Sequence, residues 1–455
     1  MINRTDSASP DRAHNRFLSP WTIALATCAV LASRLFLTIQ TETVNIFYWD
    51  QWDFNDPILF HPQPFWQAFR HQHGPHRQGI GACFGLLVGR LSHWSTRAEA
   101  FSIGIIVVIA GLCALWLKKR LFGSLTYSDV IIPMFFFTRV QWETFLGTTN
   151  PAHGSLPLLL IVLYGLAWTC SSDLLKYPLI LIFNFMVIYT GFGLFLGFVT
   201  PALLALDVCQ TGRRDRRTPW HLIAACFVSL ASIASFFVNY ARNLDCLGFI
   251  HSHPASYLAF VTMMFSGFLA ARGLYFSVLS GAVVVIILIG VAVAQFRRFF
   301  LGSKNERDTT AIVLAFVSFS LLFSSGTAAG RMCMDTGGGQ TSRYMIYLVP
   351  AFLGLYFYIL SLGGKGRRWP ILTLLILALL ASFPTGVAHK GTMQKARLNW
   401  KICYLRLEDI DRCDEMTNFT LYPKPESATH LKEKLLFLKE QRLNLYANSS
   451  GIMPD

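Results

Sequence analysis

The chain has 455 residues, 53% of them apolar and only 14% charged, with a mean hydropathy of +0.44. That balance excludes a disordered chain and fits a multi-pass membrane protein better than a soluble one. The net charge of +14 would point to nucleic acid in a soluble protein. Here much of the Lys and Arg falls in short loops between apolar segments, so membrane orientation accounts for it and no nucleic-acid partner is expected.

The first 19 residues are polar and the apolar stretch after them is long enough to span, so no cleavable signal peptide is expected and residues 1–20 read as a cytoplasmic tail. About eleven spanning helices follow, at roughly 21–40, 99–118, 129–147, 154–171, 177–190, 192–208, 219–240, 276–296, 309–328, 343–362 and 369–387. Basic clusters set their direction. Arg4, Arg12 and Arg16 precede the first span; Lys118, Lys119 and Arg120 follow the second. Arg213, Arg214, Arg216 and Arg217 follow the sixth, Arg297, Arg298, Lys304 and Arg307 the eighth, and Lys365, Arg367 and Arg368 lie between the last two. All of these fall on one side if the N-terminus is cytoplasmic.

Residues 79–94 and 256–274 are apolar, but counting either as a span would put a basic cluster outside, so both read as interfacial or re-entrant helices. The transmembrane domain covers 21–387, with 41–98 as a first outer loop carrying interfacial helices. Residues 388–455 read as a small outer C-terminal domain with a helix over roughly 427–443. The expected fold is therefore all-α and multi-pass. Ten cysteines show no Cys-x-x-Cys pair; Cys246, Cys333, Cys403 and Cys413 fall on the outer face, where a disulfide is open to them but sequence assigns no pairing.

The outer loops hold the polar clusters. After the first span stands Phe47-Tyr48-Trp49-Asp50-Gln51-Trp52-Asp53-Phe54, acids among interfacial aromatics. An acid at membrane level is costly unless it binds something. Asp50, Asp53 and Asp56 recur every three residues, one face of a helix, so a carboxylate pair there would hold a divalent cation or act as a general base. Capping of an outer loop explains the same residues without chemistry.

His61, His71, His73, His76 and Arg77 crowd the same loop. His-x-His-x-x-His is a weak zinc pattern with no Cys or acid to complete it, whereas His76 and Arg77 suit an anionic ligand. Further on, Gly330-Arg331 and Gly337-Gly338-Gly339-Gln340-Thr341-Ser342-Arg343-Tyr344 open a helix, which offers two arginines to a pyrophosphate or simply a snorkelling turn. Trp142, Glu143 and Asn150 sit at the outer end of the third span, where Glu143 would pair with Arg139 or assist the site. His251 and His253 read as ordinary loop residues.

In this order the pieces resemble the GT-C superfamily of polytopic glycosyltransferases, and more closely a bacterial membrane-protein family of GT-C-like architecture. The matches are Tyr48-Trp49-Asp50-Gln51-Trp52-Asp53, His73-Gly74-Pro75-His76-Arg77, Trp142-Glu143, Gly330-Arg331, Thr341-Ser342-Arg343-Tyr344, and Leu421-Tyr422-Pro423 with Leu431 and Leu435 beyond. They cover nearly the whole chain, and their order is more specific than any one of them.

The resemblance implies an enzyme of the bacterial inner membrane, with its site on the non-cytoplasmic face, moving a sugar from a polyprenyl-phosphate carrier to a saccharide or other envelope acceptor. Asp50 or Asp53 then matches the carboxylate that serves as base or as ligand to a divalent cation such as Mg or Mn. Trp49, Trp52, His73, His76, Arg77, Glu143, Arg331, Arg343 and Tyr344 would bind substrate. One departure stands out: Pro75 occupies a position where many relatives carry an acid. A transporter or flippase of lipid-linked saccharides, or a structural subunit of an envelope assembly, are the other readings of the same pattern.

Overall fold

The computed structural model describes residues 19–146, 151–215, 220–241, 246–301, 304–333, 336–383, 387–422 and 430–447. Arg4, Arg12, Arg16, Asn150, Arg216, Arg217 and Pro423 lie outside the described residues, as do the side chains of Arg213, Arg214, His251 and Lys304.

Helices dominate, as apolar runs require where lipid offers the backbone no hydrogen bonds. In chain order they are α1 (Pro20–Glu42), α2 (Gln51–Phe54), α3 (Phe65–Arg70), α4 (Ile80–Leu91), α5 (Thr96–Phe122), α6 (Ile131–Phe136), α7 (Trp142–Leu146), α8 (Ser155–Trp168), α9 (Asp173–Ile188) and α10 (Leu194–Asp215). Then follow α11 (Trp220–Phe237), α12 (Leu247–Ser252), α13 (Pro254–Phe268), α14 (Leu274–Leu301), α15 (Lys304–Arg331), α16 (Val349–Ser361), α17 (Arg368–Ser382), α18 (Val387–Leu407), α19 (Ile410–Thr417) and α20 (Leu431–Glu440). A two-stranded antiparallel hairpin, β1 (Gln72–His73) and β2 (His76–Arg77), interrupts the first loop.

The chain is an all-α membrane protein. Among the described residues seven helical stretches are long and apolar enough to cross a bilayer: α1, α5, α10, α11, α14, α15, and the 3-10 turn from Ser342 that runs into α16. The other segments expected to span are shorter, with 14 residues in α8, 16 in α9 and 15 in α17. The segment expected at 129–147 is broken into α6, a 3-10 turn and α7. Carbonyls freed at that break find donors: Gln141 Nε2 reaches Phe136 O at 2.6 Å and an Arg34 guanidinium nitrogen reaches Phe137 O at 2.9 Å.

The bundle has two unlike ends. At the basic end Lys119 packs on Trp21 at the start of α1, Arg120 donates to Thr169 O beyond α8, Arg298 reaches Ser361 at the end of α16, and Arg307 pairs with Asp207 of α10. Trp116, Tyr127, Trp220 and Trp369 stand exposed there, and Trp66 and Tyr275 at the other end, two aromatic belts such as bilayer interfaces select.

Neither α4 nor α13 runs from one end of the bundle to the other. Ile80 N–H, opening α4, donates to Tyr189 O between α9 and α10, and His93 O just past α4 accepts from Asn444 in the C-terminal segment. For α13, Cys246 ahead of it is disulfide-bonded to Cys333 beyond α15, while Gln340 donates to Ser266 Oγ near its end and to Ala271 O just past it. Both helices begin and finish at the loop end.

The C-terminal segment shares a core with the first loop. Trp52, Phe60, Trp94, Trp400, Tyr404, Tyr422, Leu435 and Leu438 form one buried cluster, and a second disulfide, Cys403–Cys413, joins α18 to α19. The loop and the tail thus make a single cap over the bundle.

Candidate functional site

Placement of the first acid begins at Arg397. This buried side chain of α18 donates to the carbonyls of Ile46 at 2.8 Å, Leu146 at 3.2 Å and Val44 at 3.3 Å, and lies over the Tyr48 ring. Burial lowers it to about 10, so it still carries its charge at neutral pH. Beyond it Trp49 turns the chain in the left-handed region (φ 49°), which sets Asp50 at the N-cap position of α2. Asp50 makes no capping hydrogen bond.

Its carboxylate faces a cavity of about 670 Å³ at the loop end. Opposite, the β-hairpin turns at Gly74 (φ 55°) and pairs His73 with His76. His73 stands between the two acids of the sequence motif, Nε2 3.6 Å from Asp50 Oδ1 and Nδ1 3.4 Å from Asp53 Oδ2. Both are longer than good hydrogen bonds. Asp53 itself does not line the cavity; the phenol of Tyr422 donates to it from behind. Burial, and then the Asp53 carboxylate, hold that phenol far above its ordinary value, so it remains a donor. Burial alone would also raise Asp50, but His73 and then Arg343 outweigh it and keep the carboxyl below its usual range. Asp50 is an ionised acid at neutral pH.

Two histidines form the floor. His76 Nδ1 lies 2.7 Å from Gly191 O, and since a carbonyl only accepts, Nδ1 carries the hydrogen. Burial, with Arg331 and His73 adding to it, pushes His76 down to about 3. The ring is therefore neutral, with a lone pair on Nε2. His153 packs against Phe54, its ring 4.4 Å away, and 5.4 Å from His76, and burial drives it well below its normal value too.

The far wall carries positive charge. Arg343 is exposed to the cavity beside the Tyr344 ring and ion-pairs with no described carboxylate. Glu143, expected to pair with Arg139 or to assist the site, forms no ion pair with Arg139 and lines the cavity. Its carboxylate accepts the Arg343 backbone N–H at 3.1 Å while its own N–H donates to Ser342 Oγ at 3.0 Å, because α7 starts against the unsatisfied first turn of the 3-10 stretch before α16. Arg331, at the last turn of α15, completes the wall.

Trp49, Asp50, His73, His76, Glu143, Arg331, Arg343 and Tyr344 thus meet on one cavity. Trp52 and Arg77 do not. Trp52 is fully buried against Phe47 and Phe60. Arg77 donates to the carbonyls of Phe236, Val238 and Arg70 under the ring of Tyr240, so it braces α11 and leaves no fork for a ligand. Asp50 and Asp53 both approach His73, and no group of three or more His, Cys, Asp or Glu among the described residues is set to hold a metal ion.

Sequence reasoning missed His153, together with Phe192, Phe195 and Tyr240 on the apolar wall. Only Pro151-Ala152-His153-Gly154, a polar break before an apolar run, signalled the first. Comparison with protein-family models, curated proteins and solved structures gives no match.

Proposed function

We propose that this chain is a GT-C-like glycosyltransferase of a bacterial inner membrane, moving a sugar from a polyprenyl-phosphate carrier to an envelope acceptor. About eleven passes, N-terminus cytoplasmic and C-terminus outside, accompany this reading. Two disulfides at the loop end favour an oxidising compartment for that end, and the basic residues gathered at the other favour the cytoplasm.

One observation carries the proposal: an ionised carboxylate, Asp50, and Arg343, which forms no ion pair with a described carboxylate, share one cavity whose lining includes Trp49, Phe192, Phe195, Phe236 and Tyr240. In the reaction the acceptor hydroxyl oxygen attacks the anomeric carbon as its proton passes to Asp50. The bond from that carbon to the carrier phosphate breaks, and its electron pair leaves with the phosphate, whose charge Arg343 and Arg331 receive. Direct displacement inverts the anomeric centre. Asp53 and Tyr422 fix His73, and His73 fixes Asp50. Neutral His76 and His153 offer hydrogen bonds to sugar hydroxyls without competing for the phosphate. Polar groups at one end of the bundle suit this chemistry better than transport, which wants them near the midplane.

The test is transfer from polyprenyl-phosphate sugars by the purified protein. Asp50→Asn should lower kcat by about 10²–10⁴-fold, the usual worth of a general base, with carrier binding retained. Full activity in that variant would remove Asp50 from the chemistry.

A further inference from the structure

A second cavity, of about 480 Å³, opens at the basic end, between the end of α5, the turn after α8 and the start of α15. Lys119, Arg120, Trp116, Thr169, Ser171 and Asp308 line it. The Lys119 ammonium lies 5.3 Å from the Trp21 ring and 5.2 Å from the Trp116 ring, with no hydrogen bond or ion pair to any described residue. A helix C-terminus favours basic residues in general. It does not account for an ammonium held over two ring faces with no oxygen opposite. Arg120 uses one nitrogen on Thr169 O at 2.9 Å, and its other donors meet no described acceptor.

The acid in the lining is already neutralised. Asp308 is bound by Lys176 at 2.6 Å, and Lys176 in turn lies over the Trp168 ring. Among the described residues, Lys119 and Arg120 therefore leave an uncompensated charge of two in a recess that also offers the Ser171 hydroxyl. Depth adds the second constraint. Exposed Trp116 shares this end with Tyr127, Trp220 and Trp369. Such a belt marks the interface, the level at which lipid phosphates lie.

We propose that this recess binds the phosphate of an anionic lipid headgroup, with Lys119 and Arg120 on its oxygens. It is a site separate from the loop-end cavity and does not depend on the transferase reading. A phosphate group from solution has the same chemistry; the lipid is favoured because the recess sits at headgroup depth.

The test uses the full chain in detergent, with retained lipid read by native mass spectrometry. Samples are taken from vesicles of phosphatidylcholine alone and from vesicles of phosphatidylcholine with phosphatidylglycerol. Wild type should retain phosphatidylglycerol preferentially. Lys119→Gln with Arg120→Gln should weaken retention about 30-fold, roughly a factor of five for each basic group. Lys365→Gln, a basic residue of the same end outside the recess, should leave it unchanged. Equal retention in the double variant and wild type overturns the site. Displacement of phosphatidylglycerol by millimolar inorganic phosphate overturns the lipid as the source. If the double variant does not fold, the wild type decides alone: no preference between the two vesicle types overturns the proposal.

Discussion

His76 and His153 sit where a charged imidazole would be costly, one bonded to Gly191 O and the other packed on Phe54. Their neutrality has a stability consequence. An unfolded histidine takes a proton near pH 6.5, while folded His76 refuses it down to about 3. The stabilisation is thus complete above pH 6.5 and is lost as pH falls toward 3, at up to about 1.4 kcal/mol per pH unit for each such residue. In detergent, the thermal midpoint of wild type should fall across that window. His76→Gln, which keeps a donor for Gly191 O, should show a shallower fall; an identical slope would mean that His76 is not the group responsible. At this scale the sequence was legible in part. It marked Asp50, His73, Arg331 and Arg343, which are polar where polarity is expensive. It did not separate Asp50 from Asp53 or His76 from Arg77, because which one faces the cavity depends on carbonyls 100 or more residues away that a local pattern does not contain.

Close packing of α13 on α14 turns on Gly281. A Cβ there would come within 1.9 Å of Thr262 O, whereas one at Gly290, on the same helix, would meet nothing within 4 Å. Gly281→Val should therefore drive the two helices apart and cost several kcal/mol, as overpacking against rigid backbone does. Gly290→Ala should be neutral or stabilising by up to about 1 kcal/mol, since alanine is the better helix former. Unfolding midpoints of the two variants decide this, and comparable losses would show that α13 is not held against α14 in this way. The segment 256–274 is apolar yet tied at its far end to the loop end, where Gln340 donates to Ser266 Oγ and Ala271 O. Periodicity found α1, α5, α14 and α15 because their apolar runs are long. It overran at 129–147, where the Gln141 side chain takes the place of the next turn's donors.

For the molecule as a whole, ten cysteines divide into two bridges, Cys246–Cys333 and Cys403–Cys413, and six thiols, Cys28, Cys83, Cys113, Cys170, Cys209 and Cys226. Peptide mapping after alkylation without reductant should label the six and leave the four unmodified, and alkylation at Cys333 or Cys413 would contradict the pairing. Sequence placed these four on one face but left their partners open, since pairing depends on a fold that joins residues 87 apart in the chain.

The shared cap also sets an order of assembly. Arg397, Leu421 and Tyr422, which hold Tyr48, Trp49 and Asp53 in place, are translated after every apolar run. The acids of the first loop, though translated early, are therefore among the last to be positioned. A chain ending at residue 383 should insert its helices yet leave residues 43–60 open to protease. Protection of that loop in the truncated chain would show that the bundle alone arranges it.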